Sequence, residues 1–190
     1  MFTKSIAVFC GSRFGKNPKY NEVAERTGRL LAENKFRLVY GHGTAGLMGA
    51  VMRGTVGNGG EIYGISEEKV ATFEKPSENI AGEISRNMQQ RKERFLELSD
   101  AYIVLPGGLG TLDELAEVLI ENALISRVND HSGNSYRKYL PIYIVNTDSF
   151  YAPLFSYIDH MIREDFMRVS DLDSVFIVKT PDEAIDLIKK

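Results

Sequence analysis

Residues 105–114 read LPGGLGTLDE. An apolar run, Ala101–Leu105, leads in and a long segment of helical period leads out, so the glycines stand where a strand becomes a helix. Gly107, Gly108 and Gly110 let the backbone approach an anion closely. A helix beginning near Thr111 would aim free N–H groups and the positive end of its dipole at the same point. The Thr111 hydroxyl adds one donor. A phosphate, not a metal, suits this geometry.

The same strand-then-helix unit recurs along the whole chain. Strands are expected at Ser5–Cys10, Arg37–Tyr40, Glu61–Ile65, Ala101–Leu105, Pro141–Asn146 and Val175–Val178. Helices are expected at Lys19–Asn34, Leu47–Asn58, Ile84–Ser99, Thr111–Ser126, Tyr151–Glu164 and Pro181–Lys189. Such alternation means an α/β fold, a Rossmann-like open, doubly wound parallel sheet with helices on both faces. Asp130–Ser135, DHSGNS, reads as a surface loop. No repeat or interdomain linker interrupts the pattern, so residues 1–190 are expected to form one domain.

Composition limits the functional classes. A formal net charge of -3 over 190 residues argues against sequence-blind nucleic-acid binding, which calls for a basic excess. A single cysteine, Cys10, leaves no internal disulfide framework and fits a reducing compartment. The start MFTKSIAVFCGS is too short in apolar residues for a signal peptide, and no later run is long enough to span a membrane. The expectation is a cytoplasmic protein with neither nucleic-acid nor membrane partners.

Glycines gather where strands end: Gly11, then Gly41, Gly43 and Gly46, then Gly64, then the opening loop. In a parallel sheet these carboxyl ends lie along one edge, where ligands bind. The turn CGSRFGKN is not a P-loop, because only three residues separate Gly11 from Gly15 and Asn17 stands where Ser or Thr would hold magnesium. An NAD site would want an acid where this chain has Tyr40 and Gly41. His42, His131 and His160 have no ligand spacing, so neither a metal nor another cofactor is expected.

Two charged groups need weighing. Thr111-x-x-Glu114 has the spacing of a capping box, and local spacing alone favours that reading over catalysis. In the helix NMQQRKERFLEL, Arg91 and Lys92 form a basic doublet that would by default face solvent, with Met88 and Phe95 in the core. His42 is read as a hydrogen-bonded loop residue, Cys10 as a packed strand end. SFYAPLFSYI, residues 149–158, reads as a helix face in the core or at a dimer contact.

Together these segments resemble the LOG (LONELY GUY) family of phosphoribohydrolases. PGGLGTLDE is similar to its PGGxGTxxE motif and NMQQRK to its MxxRK motif, while CGSRFGKNPKY, VYGHGTAGLMG and VNTDSFYAPL resemble its other glycine turns and its NxDGYYxxL stretch. The resemblance implies a Rossmann-like homodimer that hydrolyses the N-glycosidic bond of nucleoside 5'-monophosphates, cytokinin riboside 5'-monophosphate or AMP, to free base and ribose 5-phosphate. It implies Arg91 and Glu114 as the catalytic pair, phosphate on Gly107, Gly108, Gly110 and Thr111, Lys92 and Asp113 flanking the site, and Glu74 at the sugar or base. His42, Ser66, Leu119 and the RKYLP segment depart from the family pattern, mostly at the base end. A non-catalytic nucleotide or cofactor carrier of the same subgroup is the alternative, against which both Glu114 and Arg91 weigh. A pyridoxal decarboxylase would need a Schiff-base lysine that no motif here supplies.

Overall fold

A computed structural model describes residues 2–132 and 139–190. Its centre is a seven-stranded, all-parallel sheet in the order β4-β3-β2-β1-β5-β6-β7. The strands are β1 (Lys4–Phe9), β2 (Phe36–Tyr40), β3 (Ile62–Glu67), β4 (Gly82–Ser85), β5 (Ala101–Val104), β6 (Ile142–Val145) and β7 (Val175–Val178). The helices are α1 (Lys19–Glu33), α2 (Gly46–Val56), α3 (Glu68–Ala71), α4 (Met88–Leu98), α5 (Leu109–Ser132), α6 (Ala152–Arg163) and α7 (Pro181–Ile188).

Both faces of the sheet are covered, which is why β5, β6 and the carboxyl-terminal halves of β1 and β2 are apolar at consecutive positions rather than at alternate ones. On one face Ile6, Val8, Leu38 and Ile103 pack with Leu31 of α1, Val51 of α2 and Ile185 of α7. On the other, Ala7, Phe9, Val39 and Val104 pack with Phe95 of α4 and Leu115 and Val118 of α5. The winding direction reverses between β1 and β5, neighbours in space with three strands between them in sequence. The turns leaving those two strands, Gly11–Arg13 and Pro106–Gly108, start side by side there, and a crevice opens over the strand ends at such a switch point.

The elements depart from expectation chiefly at α4, at α5 and after β3. Residues 82–85 are an edge strand, not the start of a helix; α4 begins only at Met88, capped by the Asn87 side chain accepting from the Gln90 N–H. α5 starts at Leu109 and runs to Ser132, so Asp130–Ser132 are helical and the remainder of the expected loop lies outside the described residues. A short helix, α3, follows β3, with the buried Glu67 carboxylate accepting from the N–H groups of Lys69 and Val70. No described helix is long and apolar enough to cross a membrane.

Candidate active site

A cleft of about 700 Å³ opens over the carboxyl ends of β1, β2 and β5. Its floor carries one buried ion pair. Arg91, in the first turn of α4, donates from Nε to the Ile65 carbonyl of β3 at 3.0 Å and from Nη1 to Glu114 Oε1 at 2.8 Å. The guanidinium carbon lies 5.1 Å from the centre of the Phe95 ring, one helical turn further on. Arg91 and Glu114 are 7% and 8% exposed, so two charges are held out of water by three fixed contacts.

Burial pushes the Glu114 carboxyl above its ordinary value; Arg91 opposes the shift, and the Asp113 charge adds to it. A buried ion pair of this kind is poor evidence of stability, because desolvation consumes much of the attraction. A carboxylate raised by burial and oriented by an arginine in a cleft is the arrangement a general base needs.

The capping-box reading of Thr111 and Glu114 does not hold. Because α5 begins at Leu109, both residues sit inside the helix, and the glutamate is turned to Arg91. Thr111 is buried with its hydroxyl over Gly107, where any β-carbon would collide with it. Gly108 and Gly110 have no atom within 4 Å of where a side chain would start, so the loop backbone stays open to the cleft.

The cleft therefore brings together Arg91, Gly107, Gly108, Gly110, Thr111, Glu114 and Glu74. Glu74 follows α3, and its Oε2 lies 3.3 Å from the β-carbon position of Gly43. Met48 fills the space between, touching the β-carbon positions of both Gly41 and Gly43. Lys92 and Asp113 are not brought into the cleft. The Lys92 ammonium meets Asp113 at 3.2 Å and Glu117 at 2.9 Å, tying α4 to α5 beside the buried pair.

The basic doublet is thus not solvated: Arg91 is buried and the Lys92 side chain is 14% exposed. Met88 is no core residue; it is 37% exposed and lines the cleft, while Phe95 is buried as expected. Arg13 and Phe73, given no role from the sequence, stand in the cleft wall, as does Phe150, expected in the core or at a dimer contact. Arg13 lies in the turn CGSRFGKN, which lacks the P-loop spacing yet still reaches the cleft. Tyr151 anchors the far wall, donating its hydroxyl to the Leu105 carbonyl at 2.6 Å.

His42 differs from its expectation as well. It has a φ of 63° and is 5% exposed, with its ring laid over Gly64 and Gly82, and neither ring nitrogen makes a hydrogen bond of normal geometry. Burial lowers its pKa, although backbone groups of Ser77 and Ile80 stand close enough to favour the protonated ring. Cys10 is buried, and desolvation followed by the Glu114 charge raises its thiol above the ordinary value, which favours the protonated form and fits a packed strand end. Among the described residues no group of three His, Cys, Asp or Glu is placed to hold a metal ion.

Comparison with known proteins gives these features a setting. Residues 48–188 match the model of a family described as possible lysine decarboxylase. A cytokinin riboside 5'-monophosphate phosphoribohydrolase of Rhodococcoides fascians is 35% identical over 188 residues, spanning 98% of this chain and 89% of its own. A protein of the same name from Arabidopsis thaliana is 36% identical over 189 residues, spanning 98% of this chain and 80% of its own. Among solved structures, the molybdenum cofactor binding protein of Rippkaea orientalis superposes with a TM-score of 0.71 at 23% identity, over 100% of this chain and 97% of that one. The Moco carrier protein of Chlamydomonas reinhardtii gives 0.66 at 16% identity, over 98% and 96%. At such identities these two likenesses describe the fold alone.

Proposed function

This chain belongs to the family of the cytokinin riboside 5'-monophosphate phosphoribohydrolases, and from that premise we propose that it hydrolyses the N-glycosidic bond of a nucleoside 5'-monophosphate, releasing base and ribose 5-phosphate. The observation that carries the reading is the Arg91–Glu114 pair, 2.8 Å apart and buried beside an open glycine loop. Such a pair does little for stability, so its chemistry is the better account of it.

Glycosidic cleavage passes through an oxocarbenium-like state in which the sugar gains positive charge and the base leaves with an electron pair. Glu114 stabilises that charge and then takes a proton from the attacking water. Arg91 holds the carboxylate in one orientation and keeps it ionised against the pull of burial. The phosphate rests on the N–H groups of the loop Gly107–Gly110 and on Thr111 at the start of α5. Glu74, across Met48, faces the sugar or base. Lys92 and Asp113 flank the site, and their ion pair holds the first turns of α5 against α4.

The family's description as possible lysine decarboxylases fits this cleft poorly. A pyridoxal enzyme needs a lysine at the ligand, and no lysine is among the described residues lining the cleft. A carrier without chemistry would have no use for a buried carboxylate aimed at its ligand.

A second copy of the chain belongs in the proposal. Leu109, Leu112, Ile120, Leu124 and Val128 form an exposed apolar stripe along α5, with Leu109 85% exposed at the cleft rim. A homodimer would cover that stripe, and the single buried thiol suits the cytoplasm. The activity is tested by incubating the protein with AMP and N6-substituted adenylates and quantifying free base with ribose 5-phosphate. Equimolar release of the two products is expected. Release of phosphate with intact nucleoside, or of neither product, would refute the reading.

A further inference from the structure

We propose that Arg13 is the cation that neutralises the phosphate of the ligand, a residue for which the glycine-loop account leaves room but makes no provision. The inference rests on the nucleotide reading above and assigns one further contact within it.

The turn after β1 is held on two sides. The Gly11 N–H donates to the Pro106 carbonyl at 3.1 Å, and the Gly11 carbonyl accepts from the N–H groups of Leu47 and Met48 at 3.0 and 3.3 Å. The turn leaving β1 is therefore fastened on one side to the glycine loop after β5 and on the other to the first residues of α2. Gly46, at a φ of 55°, is packed so closely beneath Ser12 and Arg13 that a β-carbon there would overlap their backbone. Gly11 in turn lies against Gly107, its β-carbon position 3.4 Å from the Gly107 α-carbon. Arg13 thus projects from a clamped backbone, two residues from the point where the first turn touches the loop that would cradle phosphate.

Its lack of a partner among the described residues is the second observation. Two cationic side chains line the cleft, Arg91 and Arg13. Arg91 is committed to Glu114 and to the Ile65 carbonyl. Arg13, among the described residues, makes neither a hydrogen bond nor an ion pair and is exposed to the cleft. Because Arg91 and Glu114 cancel, the loop end of the cleft would otherwise meet a phosphate dianion with backbone dipoles alone. An arginine can take two phosphate oxygens at once with its planar fork, and charge-assisted bonds of this kind are the strong ones. A solvated arginine is the ordinary explanation for an exposed one, but it does not account for an arginine set in the cleft lining on a clamped backbone.

The test is calorimetric binding of ribose 5-phosphate and of adenosine to the wild-type protein, Arg13→Ala and Arg13→Lys, alongside AMP cleavage. Arg13→Ala is expected to weaken ribose 5-phosphate roughly 10- to 100-fold and to raise KM for AMP by a similar factor, with kcat little changed, as for loss of a charged contact made equally in ground and transition states. Adenosine, which lacks the phosphate, is expected to bind all three proteins alike, and Arg13→Lys to recover part of the loss. Unchanged ribose 5-phosphate affinity in Arg13→Ala, or an equal loss for adenosine, would overturn the assignment. Arg13-dependent binding of ribose 5-phosphate by a protein that cleaves no nucleotide would sustain the assignment and remove the hydrolase reading.

Discussion

The Arg91 guanidinium crosses directly over Gly41: a β-carbon on Gly41 would stand 2.7 Å from Arg91 Nη2 and 2.9 Å from Met48 Sδ. The glycine at the end of β2 is thus the counterpart of the arginine on α4, and the ion pair with Glu114 needs both. Gly41→Ala should push the guanidinium off its line to Glu114. Cleavage of nucleoside monophosphate should fall at least tenfold while the unfolding midpoint moves by only a few degrees, since one methyl against a long side chain costs about 1–3 kcal/mol. Steady-state kinetics beside thermal melts would check it; full activity in Gly41→Ala would mean that the arginine's position is not critical.

The pH dependence follows from Glu114. Its carboxyl is raised by burial, and the proposed reaction requires it ionised, to stabilise the sugar cation and accept a proton. Activity should therefore be present above that raised value and fall as pH drops through it. The acid limb of kcat/KM should lie above the ordinary carboxylate range, near 4.3 for glutamate. A limb at or below that range would assign it to another group.

Gly64 and His42 form a second interlocked pair. A β-carbon on Gly64 would overlap the His42 ring, so Gly64→Ala should destabilise the fold by about 1–3 kcal/mol. His42→Gly in the same chain should restore most of the loss, because the ring is gone and a φ of 63° suits glycine. The coupling energy is read from denaturant unfolding of the two single variants and the double.

His42 also gives stability a pH dependence of defined sign. Its folded pKa lies below its ordinary value, so the unfolded chain takes up the proton first as pH falls. Its contribution to stability is complete above about pH 6.5, the unfolded value, and is lost as pH falls from there through the lowered folded value. Unfolding free energies of the wild type and His42→Gly, compared between pH 7.5 and 5, should converge toward the acid end.

The stripe on α5 predicts an assembly. Ile120 is 59% exposed in the middle of it, and Ile120→Asp puts a charge where a second copy would bury it. Light scattering should report a dimer for the wild type and a monomer for the variant. A monomeric wild type would leave the stripe without an occupant.

Much of the fold was legible because the period of the apolar residues changes cleanly from strand to helix. The six expected strands appear in order, and β7 falls on its expected residues, Val175–Val178. The strand missed, β4, is four residues long at a sheet edge, and Gly82-Glu-Ile-Ser runs into a segment of helical period without a break. The signal was there in Asn87-x-x-Gln90: the Asn87 side chain accepts from the Gln90 N–H and the Gln90 side chain from the Arg86 N–H, which marks the helix start at Met88.

The site was legible in part. Gly107, Gly108, Gly110, Thr111, Glu114 and Arg91 converge as their motifs imply, across 23 residues of sequence between the ion-pair partners. Local spacing misread Glu114 because a helix that starts two residues early turns a cap position into an interior one. Neighbours in sequence also diverge: Arg91 and Lys92 are adjacent on α4, yet about 100° of helical rotation separates them, so one faces the cleft and the other the outside of α5. Phe73 carries no motif at all, and Arg13 stands in a glycine turn whose motif gives the arginine no role; the switch point between β1 and β5 is what sets that turn beside the glycine loop.

The catalytic assignment of Glu114 is tested most directly by Glu114→Gln. Glutamine has the shape of glutamate and can still accept the Arg91 hydrogen bond, so nucleotide binding should survive. Base release from AMP or an N6-substituted adenylate should fall by at least 100-fold relative to wild type, with the ligand affinity measured by calorimetry within about threefold. Glu114→Gln releasing base at the wild-type rate would contradict the central claim and leave the buried pair a structural feature of the cleft floor.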